Sequence, residues 1–147
     1  MFKHLLVPTD GSDISEATVN RAISFAKDAG AQITFFYAQP DFPMPIYGEG
    51  ALIDPTTPEQ FAKGAEEEAQ KILASARSKT EAVGVSCNTD TVVNEVPYEA
   101  IISAAERHGC DLIFMASHGR RGLASLLLGS ETQKVLTHTK IPVLVFR

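Results

Sequence analysis

Apolar and polar positions alternate along the chain between two periods. Leu5-Leu6-Val7 is a short buried-strand signal that stops at Pro8. Val19, Ala22, Ile23 and Ala26 then recur at helical spacing, with Ser12 or Asp13 as the N-cap and Gly30 just past the end. Ile33 to Ala38 is rich in β-branched and aromatic residues and predicts a second strand. Thr57-Pro58-Glu59-Gln60 opens a second helix with a capping box, and Phe61, Ala65, Ala69, Ile72, Leu73 and Ala76 form its core stripe. Glu66-Glu67-Glu68 reads as the solvated side of that helix.

The cycle continues. Val85, Cys87, Thr89, Thr91 and Val93 alternate with polar residues, as in a half-exposed strand. Pro97 starts a helix carrying Ile101, Ile102 and Ala105, and Leu112 to Ala116 is apolar throughout, a central strand. Ser130-Glu131-Thr132-Gln133 is a second capping-box sequence, leading to Val135 and Leu136. Pro142 introduces a terminal strand, Val143 to Phe146. Five strands alternating with four helices predict an α/β fold, a parallel sheet with helices on both faces. The alternating third strand belongs at an edge and the apolar first and fourth belong inside, so the expected order is 3-2-1-4-5. Ligands bind such sheets at the carboxyl ends of the strands flanking the switch point. Those ends are Pro8-Thr9-Asp10-Gly11-Ser12 and Ala116-Ser117-His118-Gly119.

Composition narrows the class. At 147 residues the chain is expected to be one domain, residues 1–147, and 44% hydrophobic with 21% charged residues describes a globular protein. A net charge of −5 argues against nucleic acid and acidic membrane surfaces as partners, while leaving room for a small anion in a local pocket. Cys87 and Cys110 have neither redox nor zinc spacing and suit a reducing cytoplasm. No apolar run has the length of a membrane span, and the first one is cut off by Pro8, which excludes a signal-peptide core.

The candidate chemistry lies after the fourth strand. Gly119 and Gly129 allow close backbone approach, and Gly129-Ser130 stands at a helix start that favours an anion. Arg120, Arg121, Ser117, Ser125 and Ser130 add side-chain donors. The alternative is structural: glycines punctuate loops, and Ser130 with Gln133 caps its own helix. Ser117 and His118, as neighbours in an extended segment, are expected to point apart and make a poor nucleophile–base pair. P-loop, HExxH and GxSxG signatures are absent, and the sequence offers Asp10 no obvious second carboxylate or base for general acid–base work. The long segment from Gln39 to Thr56, with Pro40, Pro43, Pro45 and Pro55, carries Phe42, Met44, Ile46, Tyr47, Leu52 and Ile53. It is too apolar for a plain linker and is expected to pack over the site or a partner.

Ala116-x-x-Gly119-x9-Gly129-Ser130 resembles the nucleotide-binding signature of the universal stress protein family. The opening Leu6 to Ser12 and the ending Lys140 to Val145 are similar to the same family's first strand and last strand. The resemblance implies ATP, with Mg2+ or Mn2+, held at the switch point as a regulatory ligand in a stress response. By position, Pro8, Thr9 and Asp10 would contact adenosine and ribose, with Asp10 helping to organise the metal. Ala38 and Met115 would flank adenine. Gly119, Gly129, Ser130 and the backbone of Glu131 would hold phosphates, with Arg120 beside them. It also implies a cytoplasmic homodimer through Val143 to Phe146, whose apolar edge needs cover. The signature's first glycine is Ala116 here, and Glu131 replaces a small apolar residue. Both favour the alternative, a dimeric interaction module without nucleotide. An adenylating or hydrolytic enzyme is the third reading, and any ATP hydrolysis is expected to be slow. On this signature Gly129→Val is expected to abolish binding with the fold intact.

Overall fold

The computed structural model describes residues 1–43, 56–118 and 128–147. Among these, β1 (His4–Pro8), α1 (Asp13–Ala29), β2 (Gln32–Gln39), α2 (Pro58–Glu81), β3 (Cys87–Val93), α3 (Pro97–Arg107), β4 (Leu112–Ala116), α4 (Ser130–His138) and β5 (Val143–Phe146) follow one another. The strands form one sheet in the order β3-β2-β1-β4-β5, with every pairing parallel, as the hydrophobic pattern required. Leu5 pairs with both Ile33 and Leu112, so β1 lies at the centre, with the switch to β4 beside it.

Alternation within the central strands feeds two cores. Leu5, Val7, Ile33, Phe35 and Phe114 pack with Val19 and Ala22 of α1 and with Ile72 and Leu73 of α2. Leu6, Phe36, Ile113 and Met115 pack on the other side with Ala100, Ile101 and Ala104 of α3 and Val135 of α4. A strand covered on both faces must be apolar at every position, which is why β1 and β4 read as unbroken runs.

Local signals fix the ends. Ser12 caps α1, accepting from the Ser15 amide, and Gly30 closes it in the left-handed region at φ 64°. The capping box of Thr57 and Gln60 forms in both directions. Glu66 is on the exposed side of α2, as read, and also accepts from the side-chain amides of Gln39 and Gln70, tying α2 to the end of β2. Phe42 packs edge-on against Phe61, so the start of the proline-rich segment does lie against α2. Met44, Ile46, Tyr47, Leu52 and Ile53 fall outside the described residues. β5 is half-buried along its length, and Arg21 of α1 lies over the Phe146 ring, 5.8 Å from its centroid.

At the start of β1, buried His4 bonds through Nε2 to Thr34 Oγ1 at 2.7 Å, with the Gln32 amide 3.3 Å from Nδ1. Burial, chiefly, and the charge of His108 hold its pKa below the ordinary 6.5, against the opposing pull of Asp111. Folding therefore favours the neutral form of His4, and the unfolded chain takes up the proton first on acidification. Stability from this group is complete above the unfolded value and is lost as the pH falls through the folded one. Thermal unfolding followed from about pH 8 to about pH 5 should show a falling Tm, and His4→Gln should flatten that fall.

Candidate functional site

The carboxyl ends of β1, β2, β3 and β4 surround a cleft of about 690 Å³, within the range of small-molecule and cofactor sites. Pro8, Thr9, Asp10, Ala38, Met115, Ala116, Gly129, Ser130 and Glu131 all line it. Residues more than a hundred positions apart in sequence are thus brought together where the strand order reverses. Gly119, Arg120, Arg121 and Ser125 lie outside the described residues.

The β1 turn is built around a residue that sequence reasoning missed. Ser15, buried in the first turn of α1, lies 2.7 Å from Thr9 Oγ1 and accepts from the Asp10 amide at 3.1 Å. Thr9 N–H donates to Phe36 O, carrying the β1–β2 ladder to the edge of the cleft. Asp10 Oδ1 accepts from the Ser12 amide at 2.9 Å, and the turn between them passes through Gly11 at φ 76°. That backbone conformation favours glycine. Asp10 therefore organises its own turn while lining the cleft.

On the opposite wall the chain leaves β4 at Ala116. No non-glycine among the described residues has a positive φ, so alanine meets no backbone penalty where the signature carries glycine. Gly129 N–H donates to Ser117 O at 2.7 Å. A Cβ at 129 would stand 3.0 Å from His118 Cα and 3.2 Å from Ser117 O. A side chain at 129 therefore needs this junction to give by a few tenths of an ångström, so Gly129→Val is expected to cost stability as well as binding, beyond what the signature alone suggested.

The second capping box does not form. Gly129 is the N-cap of α4, no side chain caps the helix, and Ser130 is its first residue. Gln133 Nε2 reaches instead to Leu128 O at 2.8 Å, and Thr132 Oγ1 donates to Ala116 O at 3.0 Å. The competition between a capping serine and an anion for the first amides of α4 is therefore removed. Glu131 is also turned to other use. Its Oε2 accepts from the Tyr98 amide at 2.9 Å and its Oε1 from Lys134 at 3.3 Å. The N-cap of α3 is Val96, which offers no side-chain bond, so Glu131 supplies the missing cap from another helix.

Ser117 and His118 do not point apart. The chain bends at Ser117, and its Oγ lies 3.0 Å from His118 Nδ1. His118 lines the cleft, while Ser117 is buried behind it, with 4% of its surface exposed. The base of the cleft is apolar, with Phe36, Ile101 and Met115; Asp41, Asn94 and Glu95 stand at its rim. Asn94 and Glu95 follow β3 directly, and their position after a strand's carboxyl end was the available signal. Among the described residues there is no group of three His, Cys, Asp or Glu side chains placed to hold a metal. Cys110 is buried, which pushes its thiol up to about 12 with a contribution from Asp111, and it is unreactive there.

Fold and cleft together define a doubly wound α/β protein with a cleft at the switch point, the place where sheets of this kind bind ligands. Residues 1–147 match the universal stress protein family throughout. The universal stress protein MJ0531 of Methanocaldococcus jannaschii is 33% identical over 150 residues, covering all of this chain and 83% of that protein. Among solved structures, MJ0577 of the same organism superposes with a TM-score of 0.80 at 27% identity, over 99% of this chain and 95% of that one. A universal stress protein solved in complex with cAMP superposes with a TM-score of 0.70 at 25% identity, over 99% and 97% of the two chains. The chain belongs to the universal stress protein family. No helix among its described residues is long and apolar enough to cross a membrane.

Proposed function

We propose that the protein binds an adenine nucleotide, ATP with a divalent cation, in the cleft between the ends of β1 and β4, as a regulatory ligand in a cytoplasmic stress response. The observation that carries this reading is the cleft itself, lined by every described residue that the family signature assigns to the nucleotide. The cAMP complex of a relative supports an adenine ligand. The residues fit such a group. Phe36, Ala38, Ile101 and Met115 offer an apolar wall to the base, and Thr9 and Asp10 offer polar groups to the ribose. The start of α4, without a side-chain cap, offers backbone amides to phosphate at Ser130 and Glu131. Gly119 and Arg120 complete this wall in the reading taken from the signature.

The metal fits less independently. One oxygen of Asp10 already accepts from Ser12, and no three-ligand cluster surrounds it among the described residues. Mg2+ or Mn2+ would be held mainly by the phosphates, with Asp10 helping to orient them, and would neutralise charge in a cleft that Asp10, Asp41 and Glu95 make acidic. The working unit in this reading is a homodimer. β5 is an edge strand of four half-buried apolar residues, and pairing with a second copy would satisfy its open edge.

Native mass spectrometry of freshly purified protein tests both parts at once. The expected spectrum is a dimer carrying adenine nucleotide, which denaturation then releases. Protein that runs as an empty monomer and shows no sub-millimolar affinity for ATP with magnesium would overturn the reading. A dimer that stays empty under the same conditions would establish the interaction module instead.

A further inference from the structure

Four carboxylates line the cleft, those of Asp10, Asp41, Glu95 and Glu131, yet no Lys or Arg stands among its described lining residues. His118 is the one described lining side chain able to carry positive charge. Its placement is constrained from two sides. Ser117 Oγ, on a buried residue, lies 3.0 Å from Nδ1. Gly129 packs so closely on the His118 backbone that an added methyl would come within 3.0 Å of its Cα. With Nδ1 engaged by Ser117, the ring atom left to meet a ligand is Nε2. When the serine hydroxyl donates to Nδ1, the neutral imidazole carries its proton on Nε2 and offers a donor to the cleft.

We propose that His118 is a ligand-binding residue of this cleft, donating from Nε2 to a phosphate oxygen of the nucleotide, and that Ser117 is the positioning residue that sets its ring. This rests on the reading of the cleft as a nucleotide site. Phosphate is the matching acceptor because His118 shares its wall with Gly129 and the start of α4, whereas the apolar surface that suits a base lies at Phe36, Ile101 and Met115. Carboxylates at the rim oppose a phosphate, so a donor on this wall has a large effect on whether one is held. Glu131 adds little repulsion, because its carboxylate is held by the Tyr98 amide and Lys134.

The test compares ATP with magnesium against adenosine, which has the base and ribose but no phosphate. ATP binding is read by calorimetry and the weaker adenosine binding by ligand-observed NMR. His118→Ala is expected to weaken ATP roughly 10- to 100-fold, the range of one hydrogen bond to a charged group, and to leave adenosine within about twofold. His118→Gln, which keeps a donor on a side chain of similar reach, should recover part of the loss. Ser117→Ala should fall between wild type and His118→Ala for ATP and spare adenosine. Equal losses for ATP and adenosine would make His118 a packing residue and overturn the assignment, as would unchanged ATP affinity in His118→Ala. Wild-type protein that binds neither ligand would overturn the nucleotide reading itself, an outcome visible before any variant is made.

Discussion

Phe36→Ala is expected to remove about 3–5 kcal/mol from the free energy of unfolding, the usual cost of deleting a buried aromatic ring. For a chain of this size that corresponds to a fall in Tm of roughly 6–20 °C. Phe36 is fully buried in the core shared with α3 and α4, and it also lines the cleft. The ring cannot be replaced by movement of its neighbours without disturbing the ladder, because the Phe36 carbonyl accepts from Thr9. Lost ring volume would open the base of the cleft, so ligand affinity should fall together with stability. Chemical denaturation with the ligand present and absent separates the two effects. A loss under about 1 kcal/mol would mean that the sheet closes over the gap, contrary to the packing described.

Gly129→Val should be damaging for a different reason. The first carbon of any side chain already meets His118 Cα at 3.0 Å and Ser117 O at 3.2 Å, and two further methyls have to find room as well. Overpacking of this kind costs typically about 1–3 kcal/mol. The strain falls on the junction that joins the Gly129 amide to the Ser117 carbonyl, so the start of α4 would move away from the end of β4. Nucleotide binding should become undetectable while Tm drops by several degrees, measured by calorimetry and thermal unfolding. Gly129→Ala should show a smaller version of both losses. A valine variant with wild-type Tm would show that the junction yields freely, and would return the role of this glycine to ligand contact alone.

Much of this architecture is legible in one dimension. The apolar runs of β1 and β4, the alternation in β3, Gly30 after α1 and Pro58 at the start of α2 each state a local requirement that the sheet then meets. Strand order follows from those runs, because only central strands need both faces apolar. The switch point, and with it the neighbourhood of Pro8 to Asp10 and Met115 to Ala116, follows from the order. What stayed hidden depends on distance in sequence or on exact backbone paths. Ser130 and Gln133 match a capping box, but the helix starts one residue earlier than that motif requires and Gln133 finds the Leu128 carbonyl. Ser15 is an ordinary helix residue until the β1 turn folds back on it. The Ser117–His118 contact arises from a bend that an extended reading does not contain. The rim residues Asn94 and Glu95 follow an edge strand, away from the two strands on which the sequence argument concentrated.

Glu131 gives the start of α4 an unusual dependence on context. It belongs to one helix by sequence and serves another, holding the amide of Tyr98 at the entrance to α3 while Lys134 lies over the Tyr98 ring, 5.6 Å from its centroid. The segment from Gly129 to Lys134 is therefore not a portable cassette. Grafted onto a related scaffold whose third helix does not start at the same place, it would bring to the mouth of the cleft a carboxylate held by Lys134 alone. Conversely, exchanging Glu131 for a small apolar residue would leave the first turn of α3 without its borrowed acceptor. Transplanting nucleotide-site loops between members of this family has to carry two helices, or neither.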